Sequence, residues 1–293
     1  MKWREVIDKT VVFLDQKRVP DPVVAAELLA ARLLKCGRGV FAAHLEREAG
    51  EPFLAAMRRA MARLAAGEPL QYVLGEWDFR LLTLKCDRRA LIPRPETEEL
   101  VSRVLAFLKK EFPPAGAGAD GERAPLIVDV GTGTGAIALS IAKEFPRATV
   151  IATDVSEDAI TLARENAARC GLADKVKFAV ADGLEDFDEP ECLDVIVSNP
   201  PYIESAVCET IDPRVRDFEP RLALDGGVSG LDFYERYLAD ALNLLRPGGA
   251  VFFEIGENQG EALRTLMTEF GFSDLRIERD FAGHDRYAVG RLK

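Results

Sequence analysis

Histidine is scarce in this 293-residue chain, and cysteine occurs without the spacing that metal sites use. There are two histidines and five cysteines. The cysteines are an odd number, lie far apart and include no C-x-x-C pair; they are Cys36, Cys86, Cys170, Cys192 and Cys208. We therefore expect isolated, reduced thiols and no zinc or other metal site.

Long apolar runs and an excess of positive charge are also missing. No window approaches the roughly 18 consecutive apolar residues of a membrane span. The opening stretch, MKWREVIDKTVVFLDQ, has charges scattered where a signal peptide has an apolar core. The formal net charge of -11 argues against a protein that binds by neutralising many phosphates. We expect a cytoplasmic monomer with no membrane attachment and no direct nucleic-acid partner.

The first part of the chain has helical patterns throughout. Apolar residues recur at helical spacing with Arg and Glu between them, which is typical of amphipathic helices that pack on one another. In PDPVVAAELLAARLLKCG, Asp21 is placed as N-cap, Pro22 at the first helical position and Gly37 just beyond the end. The stretch EPFLAAMRRAMARLAAG repeats these signals. Residues 1–75 are therefore predicted to form a small helical bundle.

The segment that follows changes its period. In GEWDFRLLTLKCDRRALI, apolar residues alternate over two short runs, which predicts a β-hairpin linker at residues 76–92. The stretch PRPETEELVSRVLAFLKKEF is helical again, with Pro95 and acidic residues in its first turn. Residues 113–125, PPAGAGADGERAP, have no periodicity and predict a flexible surface loop.

Beyond this loop, apolar runs alternate with helical patterns. The runs predict buried strands at residues 126–130, 148–155, 176–182, 193–198 and 250–256. Such alternation indicates right-handed crossovers and a parallel sheet with helices on both faces. The tail, FSDLRIERDFAGHDRYAVGRL, predicts a closing hairpin at the edge of the sheet. The fold class predicted for the chain is α/β, with a helical domain in front.

A glycine loop lies between the first predicted strand and a helix, in VDVGTGTGAIALSIA. Gly131, Gly133 and Gly135 have no Cβ atom, so the backbone can approach a bound molecule closely. Asp154 ends the next strand at the same edge, where a carboxylate could accept both hydroxyls of a nucleotide ribose. Ser156 is already a good N-cap for the following helix, which leaves Asp154 available. The alternative is a tight turn that merely needs glycine.

Asp182 and Gly183 end the third strand on the same edge. The carboxylate could accept a hydrogen bond from an adenine amino group, and the glycine would leave room for the ring; the alternative is an ordinary Asp-Gly turn.

The form of the glycine loop bears on which cofactor binds. In a dehydrogenase the helix N-terminus faces a pyrophosphate. A sulfonium cofactor carries none, and its amino acid tail can lie along the glycine backbone. The G-x-G-x-G form favours a sulfonium cofactor.

The fourth strand ends in SNPPYI. Two adjacent prolines fix φ and supply no N–H, so this segment is nearly rigid and cannot pair further in a sheet. The side-chain oxygen of Asn199 and the carbonyl of Pro200 are two acceptors that suit an –NH2 group, while Pro201 completes the proline pair. Tyr202 adds an aromatic face for a planar group. The predicted substrate is a planar nitrogen, namely adenine N6, cytosine N4 or a carboxamide; the alternative is a proline turn that closes a strand.

A planar nitrogen of this kind is a poor nucleophile because its lone pair is conjugated. An enzyme has to orient it in line with the leaving group and accept its hydrogens as positive charge develops. The alkylated nitrogen becomes acidic and loses its proton readily, so no strong base is required. The lack of a nearby histidine is therefore no objection to this chemistry.

Together these motifs resemble S-adenosylmethionine-dependent methyltransferases of the seven-stranded class. The helical N-terminal region with PRPETEEL, VDVGTGTGAIALSIA, SNPPYI and FEPRLALDGGVSGLDFY resembles, over nearly the whole chain, the HemK/PrmC family of protein-(glutamine-N5) methyltransferases of peptide chain release factors. The resemblance implies a Rossmann-like methyltransferase domain over residues 93–293 and a helical domain that contacts the release factor. It implies methyl transfer from S-adenosylmethionine to the glutamine side-chain amide of the Gly-Gly-Gln motif in class I release factors.

The resemblance also implies roles for individual residues. The predicted cofactor-binding residues are Gly131, Thr132, Gly133, Thr134, Gly135, Asp154, Asp182, Gly183 and Asn199. The predicted substrate-binding residues are Asn199, Pro200, Pro201 and Tyr202. Asn199, Pro200 and Tyr202 are also predicted to be catalytic. RPETE at residues 94–98 would lie over the cofactor pocket, while Glu219, Pro220 and Arg221 would shape the substrate side.

Three other functions compete with this hypothesis. A methyltransferase acting on adenine in DNA or RNA would use NPPY equally well, but it has to flip the base and grip the backbone, which calls for a basic domain. A non-catalytic nucleotide-binding or ribosome-associated module would need the glycine loop alone. A dehydrogenase would leave NPPY unexplained.

Overall fold

The computed structural model describes residues 1–113 and 123–293, which fall into two compact units. The first unit comprises Met1–Glu76 and Asp212–Phe218, and the second comprises Trp77–Ile211 and Glu219–Lys293. Most of the predicted surface loop at 113–125 lies outside the described residues. The division at residues 75 and 92 stays a prediction.

The helices of both units can be given in chain order. They are α1 (Trp3–Gln16), α2 (Pro22–Leu33), α3 (Arg38–Phe41), α4 (Glu51–Ala65), α5 (Leu70–Leu74), α6 (Pro95–Glu111), α7 (Ala136–Glu144), α8 (Glu157–Arg169), α9 (Ser205–Cys208), α10 (Pro213–Arg216), α11 (Asp232–Leu244) and α12 (Gly260–Glu269). Short 3₁₀ turns cover Ala42–His44 and Arg221–Ala223. Within the part of the chain that the structure describes, no helix is both long and apolar enough to cross a membrane.

The first unit is a helical bundle that contains α1 to α5 and α10. Its helices bury a common apolar core, in which Leu14 and Met57 are almost inaccessible. The indole of Trp3 meets the ring of Phe41 edge-on, with centroids 5.8 Å apart. These contacts give the bundle a core of its own, as its amphipathic pattern indicated.

The start of α2 differs from the expected cap. Pro22 is its first residue, as predicted, and Asp21 occupies the N-cap position. However, Asp21 has a left-handed backbone with φ of 46° and makes no side-chain cap hydrogen bond. A capping side chain needs an extended backbone at the N-cap to reach the free N–H groups of the first turn, which explains the difference.

The strands form two sheets. They are β1 (Glu76–Phe79), β2 (Leu82–Lys85), β3 (Leu126–Val130), β4 (Thr149–Asp154), β5 (Val176–Val180), β6 (Leu193–Ser198), β7 (Leu245–Glu254), β8 (Ser273–Arg279) and β9 (Asp285–Arg291). β1 pairs with β2, and the other seven form one sheet in the order β5-β4-β3-β6-β7-β9-β8. The first five of these run parallel to their neighbours, whereas β9 is antiparallel to both β7 and β8. The predicted seven-stranded α/β sheet, continued by a C-terminal hairpin, is confirmed.

The prediction that every run is a buried strand is wrong for residues 176–182. This run forms β5, the edge strand of the sheet, and it is only partly buried, with Val180 47% exposed. An edge strand has a neighbour on one side only, so part of its surface stays in water. The central β6, in contrast, is buried along its whole length.

Alternate residues of the central strands face two hydrophobic cores. Ile127 of β3 packs into the core that α6 and α7 cover, and Val128 packs into the core that α11 and α12 cover. The order of the sheet reverses between β3 and β6, because the chain first moves outward to β4 and β5 and then returns. A crevice at the carboxyl ends of the strands is expected at such a reversal, and open α/β sheets bind their ligands there.

Candidate active site

A pocket opens at the carboxyl ends of β3, β4, β5 and β6. It lies where open α/β sheets bind their ligands. The predicted site residues that line it are Gly131, Thr132, Gly133, Thr134, Asp154, Asp182, Gly183, Asn199 and Pro201. The predicted residues outside its lining are Gly135, Pro200 and Tyr202.

The glycine loop borders the pocket with bare backbone. Gly131 and Gly133 have φ of 72° and 56°, a conformation that glycine adopts at no steric cost. A Cβ atom on Gly131 would meet nothing within 4 Å, and one on Gly133 would meet Ala90 at 3.7 Å. Gly135 serves packing instead, since a Cβ atom there would stand 3.1 Å from the Cδ1 atom of Leu139 in α7. Two of the three glycines therefore leave open space for a ligand.

The Asp154 carboxylate holds this loop in place. Its Oδ2 atom accepts a hydrogen bond from the Gly133 N–H at 2.9 Å, and its Oδ1 atom accepts one from the Ser156 N–H at 2.9 Å. Ser156 caps α8 as predicted, by accepting from the Ala159 N–H at 3.2 Å. Burial raises the pKa of Asp154. Each carboxylate oxygen has two lone pairs, so Asp154 still has acceptor capacity for a ribose.

Asp182 is paired with an arginine that no sequence motif indicated. The Nη1 and Nη2 atoms of Arg236 donate to its two oxygens at 2.9 and 2.6 Å. The Arg236 guanidinium carbon also lies 5.4 Å from the ring centroid of Tyr237. A Cβ atom on Gly183 would stand 3.1 Å from the Tyr237 ring and 3.2 Å from Arg236 Nη2, so this glycine makes room for both side chains. The adenine contact of Asp182 stays a prediction, and it would share the carboxylate with Arg236.

A buried carboxylate beneath the glycine loop was missed by sequence reasoning. Asp129 in β3 is fully buried; its Oδ2 atom accepts from the Thr132 hydroxyl at 2.5 Å and from the Ala138 N–H at 3.1 Å. Its Oδ1 atom has no hydrogen-bond partner among the described residues. Burial raises the pKa of Asp129 to about 7. An acidic residue inside the apolar run LIVDV was the available signal, because carboxylates are rarely buried without partners.

Asp129→Asn is expected to weaken the pH dependence of stability. The pKa of this carboxyl is about 7 in the folded protein and about 3.9 in an unfolded chain, so the folded state keeps a proton that the unfolded state releases. The free energy of unfolding therefore falls as the pH rises between these values, by up to about 4 kcal/mol from this group. Asparagine does not ionise, so this contribution is lost. Urea unfolding at a series of pH values measures the effect, and equal slopes for both proteins would contradict it.

Asn199 lies at the pocket immediately after β6, and its amide is held from behind. The Nδ2 atom donates to the Thr97 hydroxyl oxygen at 3.2 Å, and that hydroxyl donates to Glu254 Oε2 at 2.7 Å. Burial raises the pKa of Glu254 to about 7. Within residues 1–113 and 123–293, neither Asn199 Oδ1 nor the Pro200 carbonyl has a hydrogen-bond partner. Asn199 lines the pocket, whereas Pro200 is buried and lies outside its lining, so a contact between the Pro200 carbonyl and a ligand stays a prediction.

Tyr202 is packed away from the pocket lining. It is half-buried against the core beneath α11, and burial raises its pKa to about 12. Its carbonyl accepts from Gln259 Nε2 at 3.1 Å. The aromatic side chains that do line the pocket are Phe233 and Tyr237. Stacking of a substrate group on Tyr202 stays a prediction.

The chain after the proline pair is fixed by glycines that sequence reasoning did not single out. The Gly226 N–H donates to the Ile203 carbonyl at 2.8 Å. A Cβ atom on Gly226 would stand 2.7 Å from the Pro201 carbonyl oxygen and 2.7 Å from Tyr202 Cα. A Cβ atom on Gly230 would stand 2.5 Å from the Tyr202 carbonyl oxygen. Only glycine allows these backbones to approach so closely.

The motifs PRPETEEL and FEPR meet at the buried carboxylate of Glu219. Glu219 is 5% exposed; its Oε2 atom accepts from the Ile92 N–H at 3.0 Å, and its Oε1 atom pairs with Arg94 Nη2 at 2.5 Å. Arg94 and Pro220 line the pocket. Arg221 is exposed outside the lining and pairs with nearby carboxylates. The motifs PRPETEEL and FEPR therefore close one side of the pocket together.

The pocket fits S-adenosylmethionine. Its glycine backbone offers room where Cβ atoms would lie, which suits the amino acid tail of the cofactor. The Asp154 carboxylate at the end of β4 occupies the position from which a ribose is bound in this fold class. The open backbone and the carboxylate lie on the same pocket, as this cofactor requires.

Comparison with known proteins identifies the family. Residues 5–75 match the family model for the PrmC N-terminal domain, and residues 118–213 match that for the methyltransferase small domain. The release factor glutamine methyltransferase of Moorella thermoacetica is 40% identical over 287 residues, which cover 98% of this chain and 97% of that protein. The protein of the same name from Deinococcus radiodurans is 36% identical over 291 residues, which cover 99% of each chain.

A solved structure supports the fold. The hMettl16 catalytic domain, determined in complex with a 3′UTR hairpin, has a TM-score of 0.56 and 18% identity, with 78% of this chain and 81% of that chain covered. At this identity the likeness concerns the fold alone. The predicted resemblance to the HemK/PrmC family is confirmed by the relatives, and the chain belongs to the release factor glutamine methyltransferase family.

Proposed function

We propose that this enzyme transfers a methyl group from S-adenosylmethionine to the side-chain amide nitrogen, N5, of the glutamine in the Gly-Gly-Gln motif of class I release factors. One observation carries the proposal: Asn199 Oδ1 and the Pro200 carbonyl are two acceptors without partners in the described chain, next to a pocket lined by the glycine loop. The curated relatives, which match this chain over almost its full length, support the choice of substrate.

Different pocket residues bind different parts of the cofactor. We infer that the backbone of Gly131 and Gly133 holds the amino acid tail, Asp154 the ribose hydroxyls and Asp182 the adenine side. S-adenosylmethionine supplies an electrophilic methyl group on a sulfonium when it is bound.

Asn199 and Pro200 act on the nucleophile. Their oxygens accept the two hydrogens of the glutamine –NH2 group, which sets the nitrogen in line with the methyl carbon. As positive charge develops on the nitrogen, both hydrogen bonds strengthen, so they stabilise the transition state more than the ground state. The alkylated nitrogen is acidic and releases its proton to water, which is why no histidine is needed.

The location, oligomeric state and binding partners of the enzyme also belong to this proposal. We propose a cytoplasmic monomer whose helical unit contacts the release factor and which binds no nucleic acid directly. The net charge of -11 supports the last point, because a nucleic-acid enzyme grips phosphates with a basic surface. The relatives give the adenine-methylating alternative no support.

Mass spectrometry of a release factor incubated with the enzyme and S-adenosylmethionine tests this function. We expect the added mass of one methyl group on the glutamine of Gly-Gly-Gln, and none when that glutamine is replaced by asparagine. Duplex DNA, incubated in parallel with radiolabelled cofactor, should remain unlabelled. Label in the DNA and none in the release factor would contradict the proposal.

A further inference from the structure

Three polar side chains from three different elements form a hydrogen-bonded chain behind the pocket. Asn199 follows β6, Thr97 lies in the first turn of α6, and Glu254 ends β7. The Asn199 Nδ2 atom donates to Thr97 Oγ1 at 3.2 Å, and the Thr97 hydroxyl donates to Glu254 Oε2 at 2.7 Å. Thr97 is 5% exposed and Glu254 is 2% exposed, so water competes little for these bonds.

The direction of these hydrogen bonds determines which way the Asn199 amide faces. A threonine hydroxyl has one hydrogen, and the Glu254 carboxylate takes it when that carboxylate is ionised. Thr97 therefore has only lone pairs left for Asn199, and it can accept from the amide but cannot donate to it. The amide has to turn its –NH2 toward Thr97, which leaves its oxygen free for a ligand. A flipped amide would set two acceptors against each other and would present an –NH2 to the –NH2 of the substrate.

Rigid secondary structure holds Glu254 and Thr97, the two residues behind Asn199. The backbone of Glu254 pairs with Tyr287 in the antiparallel ladder between β7 and β9. Its carbonyl also accepts from the buried Tyr234 hydroxyl at 2.8 Å. The Thr97 N–H donates to the Arg94 carbonyl at 3.1 Å in the first turn of α6. The carboxylate and the hydroxyl thus keep their positions independently of any ligand.

We propose that Thr97 and Glu254 are positioning residues, which fix the Asn199 amide with its oxygen toward the substrate nitrogen. The proposal rests on the proposed function, because it explains how one of the two acceptors is prepared for the glutamine –NH2. It can fail separately, because it concerns the orientation of one amide and leaves the identity of the substrate unchanged.

Thr97→Val tests the hydroxyl with little change of shape. Without it, the amide nitrogen of Asn199 loses the one hydrogen bond that it makes within the described residues, and the amide can turn to either side. We expect kcat for release factor methylation to fall about tenfold to a hundredfold at about pH 8, where Glu254 is mostly ionised. Thr97→Ser keeps the hydroxyl and should recover most of the turnover. Thr265→Val removes a hydroxyl from the exposed face of α12 and serves as the control for the substitution itself.

A double-mutant cycle separates positioning from a structural role. If Thr97 acts through Asn199, Thr97→Val should have almost no further effect on kcat once Asn199 is alanine. Glu254→Gln should also lower kcat, because its amide can donate to Thr97 and so free the hydroxyl hydrogen to hold Asn199 Oδ1. Titration with S-adenosylhomocysteine and the melting temperature show whether each variant still binds its ligand and folds.

The outcomes of this experiment fall into distinct classes. Low kcat with normal cofactor affinity in Thr97→Val, rescue by serine and no added effect in the Asn199→Ala background would support the positioning role. Wild-type kcat in Thr97→Val, or an equal loss in both backgrounds, would overturn it. A wild-type enzyme that leaves the release factor unmodified would instead contradict the proposed function itself.

Discussion

Asn199→Ala is expected to lower kcat for release factor methylation by at least about a hundredfold, while S-adenosylmethionine binds almost as tightly as before. This magnitude is typical of removing one group that is aimed at developing charge. The substitution also removes the amide nitrogen that donates to the buried Thr97 hydroxyl, so the melting temperature of the variant is measured beside its activity. The Pro200 carbonyl remains and cannot by itself hold both hydrogens of the –NH2 group. Single-turnover methylation assays and calorimetric titration with S-adenosylhomocysteine measure the two quantities separately.

Asn243→Ala is the matched control for this prediction. Asn243 is exposed on α11, so the same change of side chain is made away from the pocket. It should methylate at the wild-type rate. A variant Asn199→Ala that turns over as fast as the control would show that the amide oxygen takes no part in the reaction.

Gly133→Val is expected to weaken the binding of S-adenosylmethionine by at least about a hundredfold, which corresponds to about 3 kcal/mol. Gly133 has φ of 56° and lines the pocket, so its new side chain would enter the space of the amino acid tail. The left-handed backbone adds a strain of roughly 1–2 kcal/mol for a residue with a Cβ atom. The dissociation constant for S-adenosylhomocysteine measures the loss directly.

Strain and blocking of the pocket can be told apart with a second glycine. Gly171 has φ of 70°, and a Cβ atom on it would meet nothing within 4 Å; it follows α8 outside the pocket lining. Gly171→Val therefore carries a similar backbone strain without touching the ligand. It should melt at a lower temperature than the wild type and still bind the cofactor. Equal affinities of the two variants would contradict the assigned position of the amino acid tail.

The fold was predictable where its signals are local. The runs LIVDV and LDVIVS form β3 and β6 with the predicted limits, because apolar β-branched residues bounded by turn signals have few other solutions. The partial exposure of β5 was not predictable, because VKFAV is as apolar as many central strands and only the sheet order makes it an edge strand. The cap at Asp21 failed for a similar reason, since its left-handed backbone depends on the preceding turn.

The site was predictable where a short motif or the end of a predicted strand marks it, as for Asp154 and Asp182. The glycine loop and NPPY each place their functional groups within a few residues, so spacing alone brings them to the same edge of the sheet. The pair Thr97 and Glu254 is separated by 157 residues, and the pair Asp182 and Arg236 by 54 residues. No periodicity links such distant positions. The only available signal was an acidic residue in an apolar strand, which marks an unusual burial without naming the partner.

The most direct test is a crystal structure of the enzyme with S-adenosylhomocysteine and a peptide that contains Gly-Gly-Gln. We expect the glutamine side-chain nitrogen to lie within about 3 Å of both Asn199 Oδ1 and the Pro200 carbonyl oxygen and to point at the sulfur of the ligand. Thr97 should keep its hydrogen bond to the Asn199 nitrogen in that complex. A glutamine amide bound elsewhere, or one that meets the nitrogen of Asn199 in place of its oxygen, would contradict the proposed role of Asn199.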